Sequence, residues 1–242
     1  MATMMFYERA TALSRERHQK LKVAPQANDF GFARHTNSVL LAGSEFAEAG
    51  RDHPIVFIGQ EGGPFTAAAL VGLADSENLR VDAAGKWAEG SYVPAFIRRY
   101  PFVLASGDDP DQLTVCIDEA YPGWNEEQGE ALFGADGNET VYLSRVIDFL
   151  KLFHQEMART AAFAGRLAEL GLLVQKVIEI EREGKRRSLE GLWVVDAAKL
   201  AALGDAELLA LARSGELQWI YSHLHSLANL ARLAARLDRP AA

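Results

Sequence analysis

The apolar positions of this chain fall into three pairs of short runs, each pair joined by turn-forming residues. Ile55-Val56-Phe57-Ile58 follows His53-Pro54, Glu61-Gly62-Gly63-Pro64 has turn chemistry, and Phe65 to Leu73 is apolar again, which predicts a β-hairpin. A second hairpin is predicted from Tyr100 to Ala105, a turn at Gly107-Asp108-Asp109-Pro110, and Leu113 to Asp118. A third runs from Leu172 to Glu181, through a basic turn at Gly184-Lys185-Arg186-Arg187, to Leu189 and on to Val195. Between the first two, Trp87 to Arg99 is a compact connection, because prolines at 94 and 101 confine regular structure there to short pieces.

Past residue 137 the pattern becomes helical. Asn138 is the predicted N-cap of a helix from Glu139 to Leu170, which Gly171 ends. Val146, Leu150, Phe153, Met157 and Ala161 recur at three- and four-residue steps, the spacing of one buried face. Asp205 caps a short helix stopped by Ser214-Gly215, and a last amphipathic helix is expected from Leu217 to about Leu237. Strand pairs with short links, followed by helices, argue against alternating βαβ units. The expected class is α+β: an antiparallel sheet built from hairpins, packed against a long helix and a C-terminal helical segment.

Composition narrows the classes of function. A chain of 242 residues, 49% hydrophobic and 24% charged, has enough apolar surface to fold around a sizeable core. Residues 1–137 hold 20 acidic and 11 basic side chains, a net charge of −9, whereas 138–242 hold 13 and 14, a net charge of +1. Nine of the acids lie between Asp108 and Asp136, and no Lys or Arg occurs between Arg99 and Arg145. A pI near 5.3 argues against nucleic acid as a partner, since phosphate binding needs a clustered positive surface. The single cysteine, Cys116, excludes an internal disulfide, and its place in the apolar run Leu113 to Ile117 marks a core residue rather than a nucleophile. The longest uncharged run, Leu217 to Ala231, has fifteen residues and falls short of the roughly 18–20 needed to span a bilayer. With no export signal at the N-terminus, the expectation is a soluble protein of the cytoplasm with no membrane span.

Candidate chemistry is sparse. In Tyr92-Val93-Pro94-Ala95-Phe96-Ile97-Arg98-Arg99-Tyr100-Pro101, Arg98 and Arg99 sit among aromatics on a proline-stiffened segment. Guanidinium forks suit bidentate capture of a carboxylate or phosphate, with Tyr92 beside them. The simpler reading, and the favoured one, is that Arg98 or Arg99 pairs with the acidic 108–136 stretch and pins two parts of the fold. On the last helix, His223 shares a face with Ile220, Leu227 and Leu230, as a core or interface histidine would. His225 lies in line with Tyr221, Asn229 and Arg232, a stripe that either orients a polar ligand or faces solvent. His223 and His225 point apart on a helix, so no metal site is expected there, and no other histidine has a ligating spacing. Gly59 to Pro64 lacks nucleotide-loop spacing and no GxSxG elbow is present. No cofactor is expected, and catalytic residues stay unassigned.

Several blocks are familiar. Phe30-Gly31-Phe32-Ala33, Glu45-Phe46 and His53-Pro54-Ile55-Val56-Phe57 are similar to the opening block of the SapC family. Gly90-Ser91-Tyr92-Val93-Pro94-Ala95-Phe96-Ile97-Arg98-Arg99-Tyr100-Pro101-Phe102 resembles that family's most distinctive signature. Trp193 to Leu200 and Ile220 to Leu230 are similar to its closing blocks. The resemblance covers about residues 28–235. It implies a single SapC-like domain over 28–240, preceded by a weakly patterned segment over 1–27 that it does not cover; charge and apolar pattern divide that domain into a β-rich acidic part (28–137) and a helix-rich part (138–240). It also implies a bacterial protein, linked by name to surface layers and by gene neighbourhood to TonB-dependent uptake.

The resulting expectation is a non-catalytic accessory protein acting through an unidentified protein partner in envelope or nutrient-uptake systems. Leu217, Trp219, Ile220, Leu224, Leu227, Leu230 and Leu237 offer more apolar side chain than one helix face needs, which suggests a homodimer. The alternative is an enzyme or small-molecule sensor that binds an anionic ligand through Arg98, Arg99 and the Tyr221/His225 stripe.

Overall fold

All three strand pairs expected from local pattern form antiparallel ladders in the computed structural model, which describes residues 5–24, 29–106, 113–182 and 185–237. The strands are β1 (Ala10–Ala12), β2 (Lys22–Val23), β3 (Ser38–Leu40), β4 (Ile55–Gly59), β5 (Phe65–Leu70), β6 (Phe102–Ser106), β7 (Leu113–Asp118), β8 (Trp124–Asn125), β9 (Glu130–Ala131), β10 (Leu173–Arg182) and β11 (Lys185–Val195). The helices are α1 (Arg15–His18), α2 (Phe46–Ala49), α3 (Ala95–Arg98), α4 (Val141–Glu169), α5 (Ala197–Ala201), α6 (Asp205–Arg213), α7 (Glu216–Ser226) and α8 (Asn229–Leu237). This is the α+β class expected. The turn expected at Gly107 to Pro110 lies outside the described residues.

The chain divides into two compact units, each assembled from two separated stretches. One takes residues up to Asp29 with Ile97–Gln155; the other takes Phe30–Phe96 with residues from Glu156 onward. The division falls elsewhere than residue 137, where composition changes, because α4 gives its first half to one core and its second half to the other.

In the first unit β1-β7-β6 form one sheet and β8-β2-β9 another. Phe102, Ile117 and Leu132 are buried with Leu143 and Leu150 of α4. The N-terminal segment is therefore part of this unit rather than set apart from it. Its strands are two and three residues long, too short for a side-chain period to show, and β7, β8 and β9 recruit them by pairing.

The second unit carries a five-stranded sheet in the order β10-β11-β4-β5-β3. Ile55, Val56 and Phe57 are all fully buried, so β4 is covered on both faces and reads as a continuous apolar run. On one face Val56, Ala68, Leu70, Leu192 and Val194 pack with Leu73 and with Leu233 of α8. On the other, Phe57 lies 6.1 Å from Phe163 of α4, which meets Trp219 of α7 edge-on at 5.2 Å.

Four local expectations are corrected. Thr140, not Asn138, caps α4: its Oγ1 accepts from the Leu143 N–H at 3.2 Å, while Asn138 is bonded to Asp136. Ala161 is exposed and Thr160 takes the inward position, because the face rotates past it. Lys185, Arg186 and Arg187 extend β11 instead of forming the turn, opposite Arg182, Glu181 and Ile180. The last helix is two helices, interrupted at Leu227 and Ala228. Leu227, Leu230 and Leu237 pack against the core within the chain, so the apolar excess of that segment has an intramolecular use.

Candidate functional site

In the second unit, the signature segment is clasped by two acids and a histidine from the stretch leading into β4. Glu45 closes a turn at the start of α2, where its Oε2 accepts from the Ala42 N–H at 3.1 Å. Its Oε1 accepts from the Tyr92 hydroxyl at 2.8 Å and the Ala95 N–H at 2.7 Å, in an 8% exposed setting. Asp52 Oδ2 accepts from the Tyr92 N–H at 2.8 Å, and the Tyr92 carbonyl lies 2.7 Å from Nε2 of His53. Every polar group of Tyr92 is thus spent on Glu45, Asp52 or His53. A carbonyl only accepts, so Nε2 of His53 carries the proton and Nδ1 is bare in the neutral ring. Burial, then the nearby Arg80 charge, brings His53 down to about 4.

Arg98 and Arg99 belong to the first unit, at the end of α3. Their guanidinium carbons lie 5.4 Å from the Phe149 ring and 5.6 Å from the Phe153 ring, two residues one turn apart on α4. Arg99 also hydrogen-bonds Tyr7, and burial holds its own pKa below the ordinary value. The Tyr7 hydroxyl donates to the Phe102 carbonyl at 2.6 Å, and burial pushes that phenol well up. Nearby acids hold the N-terminal segment. Fully buried Asp118 accepts from the Glu8 and Arg9 N–H groups at 3.0 and 2.9 Å, and Glu119 pairs with Arg17 at 2.6 Å.

The remaining expected residues lie in the second unit. Tyr221 is 50% exposed and His225 is exposed, both on α7. Asn229 is 3% exposed; its Nδ2 donates to the Gly50 carbonyl at 2.8 Å, and its Oδ1 accepts from Arg232. The break between α7 and α8 turns Asn229 inward, away from the stripe expected of one continuous helix. Tyr92 and Asn229 are both brought to the Gly50–Asp52 segment. His223 is wholly buried, with Nδ1 2.9 Å from the Ile55 carbonyl and Nε2 3.0 Å from the Val195 N–H. Two surface depressions, one beside Arg15 and Glu139 and one beside Asn37 and Glu190, include none of the six expected ligand residues. Among the described residues no group of three or more His, Cys, Asp or Glu is placed to hold a metal, and no helix is long and apolar enough to cross a membrane.

Glu45, Asp52, His53 and Arg80 were missed by residue-level reasoning. The signal available was indirect: Glu45 and His53 stand in one family-like block and Tyr92 in another, and their contact spans about 40 to 47 residues.

Compared with known proteins, residues 13–233 match the SapC family model. The match begins inside the N-terminal segment, so residues 13–27 belong to the family region as well. No curated protein and no solved structure matches.

Proposed function

The chain belongs to the SapC family, and on that premise we propose that it is a non-catalytic accessory protein that acts by binding a protein partner in bacterial envelope or nutrient-uptake systems. The observation that carries this reading is the fate of the signature's polar groups. Tyr92 and the Ala95 N–H are consumed by Glu45, Asp52 and His53, so that part of the signature fastens the backbone and offers no free acid, base or nucleophile to a substrate. Partner contact falls instead to an exposed surface, for which α7 supplies the half-exposed aromatic Tyr221 beside His225.

A photo-crosslinking amino acid at position 221, in the producing cells, tests it. One discrete protein adduct, lost when His225→Ala is added, is expected. Native mass spectrometry of the freshly purified protein gives the opposing result: a retained small molecule that the protein converts chemically would overturn the reading.

A further inference from the structure

The first unit carries a depression of about 550 Å³ whose floor and rim differ in chemistry. The floor is apolar: Leu13, Val115, Phe133 and Ile147 are partly buried side chains laid over the core of Ile117, Leu132 and Leu143. The rim is polar and comes from Arg15, Thr114, Asn138 and Glu139. A concave apolar surface edged by a few polar groups is the usual form of a small-molecule site, and this volume lies in the usual range.

Backbone bonds fix the residues of this depression. The Leu13 N–H donates to the Val115 carbonyl at 2.8 Å, which sets two floor residues side by side. Phe133 and Glu139 form a β-bridge. The turn between them is closed by the Gly137 N–H on the Gly134 carbonyl at 2.9 Å and the Gly134 N–H on the Asn138 carbonyl at 2.8 Å. Arg15, the first residue of α1, leans on that turn. A Cβ at Gly137, where φ is 77°, would stand 3.1 Å from Arg15 Cδ and 3.5 Å from Nη1. The missing side chain of Gly137 therefore lets the Arg15 side chain lie against the loop that carries Glu139.

Neither charge of the rim is answered by the fold. Arg15 and Glu139 are exposed, and among the described residues neither side chain makes a hydrogen bond or an ion pair within 4 Å, with the other or with any third group. Asp136 is near enough to feel Arg15, yet its two oxygens accept from the Asn138 N–H at 3.0 Å and from Asn138 Nδ2 at 2.8 Å. Exposed charges need no partner in general. These two differ in being an unlike pair on the rim of one apolar floor. A ligand with a single negative charge would suit Arg15 and be repelled by Glu139, and a single positive charge would do the reverse. A ligand that carries both charges on an apolar body matches the floor and the rim together.

We propose that this depression binds a zwitterion with an apolar body, the class of the large apolar α-amino acids. Its carboxylate meets Arg15, its ammonium meets Glu139, and its side chain lies on Leu13, Val115, Phe133 and Ile147. The site goes beyond the partner-binding reading and does not depend on it.

The test titrates the full chain with L-phenylalanine, 3-phenylpropanoate and phenethylamine, which share a ring and carry both charges, the negative one or the positive one. Methyl NMR resonances of Leu13, Val115 and Ile147 report on the floor. L-phenylalanine is expected to displace them saturably, and each singly charged analogue to bind about tenfold more weakly. Arg15→Gln should remove the preference for L-phenylalanine over phenethylamine and keep that over 3-phenylpropanoate; Glu139→Gln should do the opposite. No displacement up to about 10 mM L-phenylalanine, an analogue that binds as well, or preferences unchanged in both variants overturns the site. Should a variant not fold, the comparison of the three ligands on the unaltered chain decides alone.

Discussion

His223 donates from Nδ1 to the carbonyl oxygen of Ile55, 2.9 Å away, so a side chain of α7 holds the first residue of β4. Its other nitrogen accepts from the Val195 N–H at the end of β11, and Ser226 Oγ accepts from the Ile55 N–H at 2.9 Å. Two strand ends that would otherwise leave buried amides unmatched are closed by one helix.

That arrangement makes stability depend on pH. His223 and His53 are both drawn from an ordinary 6.5 to about 4, chiefly by burial. Between those values the unfolded chain binds protons that the folded chain refuses, so stability falls as pH falls from 6.5 towards 4 and is flat in this respect above about 7. Each histidine contributes on the order of 3 kcal/mol over the whole interval. Urea unfolding at pH 7.5 and 4.5 checks it. His223→Gln should lower stability at pH 7.5 and shrink the difference between the two pH values; an undiminished difference would remove His223 from the account.

Thr160 predicts a sharper local effect. Its Oγ1 accepts from the Gly43 N–H at 2.7 Å while donating to the Glu156 carbonyl at 2.6 Å, in a 1% exposed position. Thr160→Val keeps the shape but strands the Gly43 donor, and the expected loss is about 1–3 kcal/mol. Denaturant midpoints at constant slope measure it.

Gly43 itself has no room for a side chain. A Cβ there would stand 2.4 Å from the Trp219 ring, which is boxed in by Phe46 at 6.0 Å, Phe163 at 5.2 Å and the Arg159 guanidinium at 4.5 Å. Gly43→Ala should cost about 1–3 kcal/mol by overpacking. Trp219 emission should change with it, and a variant with wild-type stability and spectrum would show that the ring yields freely.

The hairpins and α4 were legible because the signals that specify them are local. Gly62 and Gly171 occupy positive-φ positions, at 75° and 66°, where the sequence placed a turn and a helix stop. His223 was legible as a buried histidine because its apolar neighbours recur at helical spacing. Of the Tyr221–His225–Asn229 stripe, Tyr221 and His225 face solvent while Asn229 turns inward, since helical spacing alone does not reveal that α7 ends at Ser226. Arg98 and Arg99 stand among local aromatics in the sequence, whereas Phe149 and Phe153, the rings they lie over, come from a helix about fifty residues onward.

The sequence by itself determined the antiparallel strand pairs, the long helix, the α+β class and the family, because turn chemistry, apolar period and motif blocks act over neighbouring residues. Tertiary structure alone decided that α4 serves two cores, that Glu45 and Asp52 grip Tyr92, and that Asn229 reaches Gly50 across 179 positions. A buried polar group must find a partner wherever the fold brings one, and over such separations the choice is made by what desolvation leaves unmatched, which no local pattern encodes.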